Sequence, residues 1–166
     1  MSLIPESALP AFTIVHVAIS LAAIASGFVV LVGMVLDWRL NGWTAFFLVM
    51  TAATSLTGFG FPIKGFTPGI GFGLITLAVM PVVLFARYSR KLTGPWRWIY
   101  VLGAAFVLYL NFVVLIVQSF QKIAFLKALA PNQNEPPFLA TQIVGMVVFI
   151  ILTALAVRQF HRQPVA

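Results

Sequence analysis

The segment Tyr109–Phe138, YLNFVVLIVQSFQKIAFLKALAPNQNEPPF, decides how this chain is put together. Its first half is an apolar run interrupted by Asn111, Gln118 and Lys122, side chains that hydrocarbon penalises. Asn111, Leu115, Gln118 and Lys122 follow one another at steps of four, three and four, so a helix gathers them on one face. The second half leaves the run through Pro131, Asn132, Asn134, Pro136 and Pro137, which stop a helix, and then feeds another apolar run. The pattern specifies two membrane helices joined by a structured polar loop.

The composition around this segment agrees. The chain has 166 residues, of which 61% are hydrophobic and 8% charged. A soluble domain carries about 25% charged residues, and this chain has too few polar groups to cover a water-facing surface. The net charge of +7 does not indicate nucleic acid, because the basic residues lie between apolar blocks, where membrane proteins keep them. There is no cysteine, which removes disulfides, thiolate metal sites and thiol catalysis.

Read along the chain, the apolar blocks predict an all-α integral membrane protein. It is a bundle of five transmembrane helices at Ala11–Leu36, Trp43–Phe61, Phe66–Ala86, Trp98–Gln121 and Phe138–Val157. Each block approaches or exceeds the ~20 residues a helix needs to cross hydrocarbon, and barrel strands would alternate and be about half as long. The first block has no Lys or Arg before it and is too long for a signal-peptide core of ~7–15 residues, so it is expected to be an uncleaved span. Residues 1–166 form one transmembrane domain, and residues 122–137 form an extracytoplasmic amphipathic loop around the short helical pattern Ile123–Leu129.

Charge sets the expected orientation. Arg39, Arg87, Arg90, Lys91, Arg97, Arg158 and Arg162 fall on one side of the five spans, and Lys64, Lys122 and Lys127 on the other. The richer side is expected to be cytoplasmic, with the N-terminus out and the C-terminus in. Trp38, Trp43, Trp96 and Trp98 also fall on that side, as interfacial anchors would.

With this threading, the polar residues inside the spans collect in the outer half. His16, Asn111, Gln118 and Lys122 are the candidate ligand-binding residues of an outward-facing polar recess. For each there is a plainer alternative. Asn111 and Gln118 can bond across helices, Lys122 can snorkel to the interface, and His16 can bond an amide such as Asn111 or Gln118. The Thr51, Thr54, Ser55 and Gly58 face and the Ala23–Gly27 pair read as helix packing. His16 and the tail residue His161 are the two histidines, too far apart in the threading for bis-histidine haem within one chain. No set of Cys, His and carboxylates has zinc-ligand spacing, and no nucleophile, base and acid assemble into an enzyme site. No catalytic residue and no cofactor is assigned.

Leu108–Asn111, Gln118, Lys122, Leu126–Pro131, Glu135–Phe138, Thr57–Pro62 (TGFGFP) and Trp96–Val101 (WRWIYV) resemble a family of small multi-pass bacterial inner-membrane proteins without an assigned activity. The resemblance covers most of the chain. It implies a helical protein of the bacterial cytoplasmic membrane, and it implies neither an activity nor site residues.

Three functional classes follow. The first is binding or transport of a small polar or amphipathic ligand in the outer recess. The second is a structural or assembly subunit of a larger membrane complex, and the third a quinone- or haem-associated redox subunit. The lipid bilayer is the expected partner, a homo-oligomer or larger complex stays open, and nucleic acid is excluded.

Overall fold

The computed structural model describes residues 4–62, 65 and 67–160. Lys64, Phe66, His161 and Arg162, for which the sequence sets expectations, lie outside the described residues. After a short 3-10 turn at Glu6–Ala8, the elements are α1 (Leu9–Val35), α2 (Asn41–Gly58), α3 (Pro68–Leu84), α4 (Trp96–Lys122), α5 (Ala124–Leu129) and α6 (Pro136–Gln159). α3 widens into a π turn, Phe85–Ser89, before the basic loop.

Four helical segments are long and apolar enough to cross a membrane: Glu6–Val35, Pro68–Ser89, Trp96–Lys122 and Pro136–Gln159. In hydrocarbon every backbone N–H and C=O must be satisfied within the segment, which is why such runs fold as helices. The shortest of the four covers 22 residues, or about 33 Å at ~1.5 Å per residue. The expectation of five spans is therefore corrected to four. α2 is 18 residues long, opens with Asn41 and Gly42, and carries Thr44, Thr51, Thr54, Ser55 and Thr57. Its residues 43–61 were counted as a span because they hold no charge. Partitioning depends on hydropathy, and five hydroxyls within so short a helix lower it.

α2 nevertheless lies inside the bundle, antiparallel to α1. The contacts advance in opposite directions along the two helices: Gly33 against Leu40, Gly27 against Phe47, Ser20 with Thr54, and His16 with Thr57. The return is tight because Asp37 takes the left-handed conformation at φ 56°, and Trp38 N–H reaches back to Gly33 O at 2.7 Å. This is a six-to-one helix stop. α4 and α6 form a second antiparallel pair. Phe120 meets Phe138 at one end, Gly145 faces Phe112 in the middle, and Arg97 meets Val157 at the other end.

The main core joins α1, α2, α3, α4 and α6 through Leu31, Phe47, Val83, Val107, Leu108 and Phe149. Gly27 admits Leu108 and Phe47 to the α1 backbone, so α1, α2 and α4 converge at that point. The pair Ala23–Gly27, expected as a small-residue contact, is buried there. Gly103 likewise admits Val83, and an added Cβ would lie 2.6 Å from its methyl.

The basic residues do converge at one end. Arg87 donates to Asn41 Oδ1 at 2.7 Å and lies over the Tyr100 ring at 5.2 Å. Arg90 lies over Trp96 at 5.5 Å, and Arg97 donates to the carbonyls of Val157 (3.0 Å) and Phe160 at the end of α6. A cation on the last carbonyls of a helix satisfies acceptors that have no partner within it. The α5 loop lies at the opposite end.

Candidate functional site

Polar side chains line the α1–α2 seam from the α5 end inward. His16 Nδ1 lies 2.8 Å from Thr57 Oγ1, and the His16 ring packs edge-on against Phe61 at 5.1 Å. Thr57 donates its own hydroxyl to Ala53 O at 2.7 Å, so its oxygen accepts from His16 Nδ1–H. In the neutral ring this leaves Nε2 as the acceptor. One turn on, Ser20 donates to His16 O at 2.7 Å and accepts from Thr54 Oγ1. This portion of the seam, toward the α5 end, is closed on itself: each hydroxyl hydrogen has a named acceptor. The expectation that His16 bonds Asn111 or Gln118 is corrected, since its partner is a hydroxyl of α2.

The next turns are different. Among the described residues, four buried side-chain atoms lack a hydrogen bond of good geometry: Thr51 Oγ1, Ser55 Oγ, Asn111 Nδ2 and Tyr100 OH. Threonine and serine in a helix ordinarily bond the carbonyl one turn back, as Ser26 does to Ala22 O at 2.6 Å. Thr51 and Ser55 do not, although they are buried and one turn apart on the same face of α2. Asn111 shares their depth. Phe47 and Leu108 meet at Gly27, and one turn further toward the α5 end come Thr51 on α2 and Asn111 on α4. An unsatisfied buried group costs about 1–3 kcal/mol, so two hydroxyls and an amide at neighbouring depths call for a physical reason.

Of the four residues singled out from the sequence, the structure brings His16 to the α1–α2 seam and buries the Asn111 amide nitrogen. Gln118 and Lys122 lie exposed on α4. The Pro- and Asn-rich loop does fold back onto α4, but through other residues. Gln133 Nε2 donates to Val117 O at 2.9 Å, and Ala130 and Phe138 pack on Ile116 and Phe120. Glu135 accepts from Asn132 N–H (3.1 Å), the Asn132 amide (3.0 Å) and Asn134 N–H (3.1 Å). Slight desolvation raises its pKa, the donors outweigh that, and the carboxylate ends below its ordinary range.

Tyr100 was missed. It is fully buried, and its hydroxyl sits beside Thr44 and Arg87. With Arg39, Arg87 and Phe160 it lines a cavity of about 10 Å³, the space of roughly one water. Helical phase held the signal, because Tyr100, Ala104 and Leu108 recur every four residues on the face that α4 buries.

No family model, curated protein or solved structure matches this chain. The resemblance to the bacterial inner-membrane family gains nothing from these comparisons. What stands is a small all-helical protein with four long apolar helices, a multi-pass membrane protein by the make-up of those helices.

Proposed function

We propose that this protein binds or transports a small neutral polar or amphipathic ligand at Thr51, Ser55 and Asn111. In this proposal it sits in a bacterial cytoplasmic membrane, basic end inward, and His16 and its hydroxyl partners lie between the site and the outer face. The observation that carries the proposal is that three buried polar atoms without partners lie at neighbouring depths on α2 and α4. Asn111 Nδ2 is a donor, and the two hydroxyls both donate and accept. The complementary ligand presents a carbonyl or hydroxyl oxygen. Neither Asn111 nor the hydroxyls carry charge, which favours a neutral solute over an ion.

The test is ligand-dependent stabilisation of the purified full-length chain, with acetamide and glycerol as probes. The wild type is expected to gain thermal stability with probe concentration, and the double variant Asn111→Leu, Thr51→Val to gain none. Equal gains in both proteins would remove the site.

A second reading, a subunit of a larger membrane complex, draws on α5. Its Phe125 is 70% exposed, beside exposed Ile123 and Leu129, at the end of the molecule away from the basic loop. Extraction in mild detergent as a lone chain, with the α5 variant Phe125→Ser behaving identically, would count against it.

A further inference from the structure

The α4–α6 pair holds a feature that the polar site does not use. On its lipid-facing side the helices diverge to leave a groove of about 660 Å³. Buried Ala105 and Phe149 form its floor, and exposed Leu102, Phe106 and Ile150 its walls. At the basic end it finishes at Arg158. Its size falls within the ~300–1,000 Å³ of small-molecule sites, and its lining is almost wholly apolar.

Arg158 differs from Arg87, Arg90 and Arg97 at that end. Arg97 is spent on the last carbonyls of α6, and Arg87 on Asn41 and Tyr100. Arg158 is exposed in the last turn of α6, and among the described residues it has no hydrogen-bond or ion-pair partner. Trp98, 45% exposed, lies one turn before Leu102 on the same face of α4, where an indole meets the headgroup level.

We infer that this groove is a binding site for an anionic phospholipid, one acyl chain lying along α4–α6 and the phosphate paired with Arg158. Basic pockets between membrane helices take such head groups. Charge complementarity selects this occupant over a second copy of the chain. Copies in one membrane share an orientation, so the groove of one would meet the basic end of the other. The whole chain has only three acidic residues; Glu6 and Glu135 belong to the α5 end, and Asp37 alone lies at the basic end, beside Arg39 and at the same end as Arg87, Arg90, Lys91 and Arg97. Such a contact leaves Arg158 against an end of net positive charge. The inference does not rest on the role given to Thr51, Ser55 and Asn111.

The test is native mass spectrometry of the full chain exchanged into micelles doped with phosphatidylglycerol or phosphatidylcholine of matched chains. The wild type should retain phosphatidylglycerol about fivefold better, the effect of one basic contact near a membrane surface. Arg158→Gln should bring that ratio to about one while a lipid is still held. Ala154→Trp, which fills the groove from an exposed position, should release both lipids at an unchanged melting temperature. Equal retention of the two lipids by the wild type would overturn the inference, as would an undiminished preference in Arg158→Gln. Loss of a dimer on Ala154→Trp would assign the groove to a second copy instead. If Ala154→Trp does not fold, the ratio in Arg158→Gln decides alone.

Discussion

The α1–α2 pair and the α4–α6 pair solve the same problem with different chemistry. Both are antiparallel, and both use a glycine for close approach, Gly27 in one and Gly145 in the other. α4 and α6 are then joined by aromatic side chains. Phe149 contacts Phe112 and Tyr109, each at 5.3 Å, and reaches Phe28 of α1 at 5.4 Å. α1 and α2 are joined by hydroxyls and an imidazole. Two helices that are apolar in their own right need only shape to associate. A helix such as α2, rich in hydroxyls, is held by burying them against neighbours that complete them. The places where completion stops, Thr51, Ser55 and Asn111, are where a ligand gains most.

The difference can be broken from either side. The largest expected effect is on the aromatic pair: Phe149→Ala removes a 4%-exposed ring from three aromatic neighbours. It should cost about 3–5 kcal/mol in denaturant-dependent unfolding. Gly27→Val comes next. Its Cβ would collide with Leu108 and Phe47, so α1, α2 and α4 must separate, at about 1–3 kcal/mol in the same assay. Asn111→Leu has the opposite sign. Removing an amide nitrogen that is buried without a partner should raise stability by roughly 1 kcal/mol while abolishing any probe response. Thr57→Val deletes the acceptor of His16 and should cost about 0.6 kcal/mol, the mean for a polar contact between membrane helices.

The smallest effect tests the loop that closes the α4–α6 pair. Glu135 is held below its ordinary pKa, so its contribution is complete above the unfolded carboxylate value and disappears as pH falls through the lower folded one. The amide resonances of Asn132 and Asn134 should therefore titrate together, with a midpoint below that of a free glutamate. A midpoint at or above the free value would mean that the carboxylate does not hold the loop.

Much of the architecture was legible in the sequence, for identifiable reasons. The apolar blocks containing Ile24, Val83, Leu108 and Val147 are long, and a segment that crosses hydrocarbon satisfies its own backbone as a helix. The clustering of Arg87, Arg90 and Arg97 at one end followed from their place between blocks. α2 was misjudged because freedom from charge was equated with apolarity. The candidate site was legible only in part. Helical phase put Asn111 on a face with Gln118 and Lys122, but which neighbour that face meets depends on the packing at Gly27. That register brought α2 to His16, gave Thr57 as its partner, and left Gln118 and Lys122 on the surface. Tyr100 was hidden by its company, because tryptophans and arginines around a tyrosine suggest an interface, and only its phase with Ala104 and Leu108 points inward.

The central claim is that the interior between α1, α2 and α4 holds a polar ligand position. High-resolution density for the full chain in lipid nanodiscs tests it most directly. The account predicts an ordered molecule, solute or water, within about 3 Å of Asn111 Nδ2 and of the Thr51 or Ser55 hydroxyl. A dry, closed interface, with the Asn111 amide donating to a carbonyl and both hydroxyls bonded back to their own helix, would contradict it.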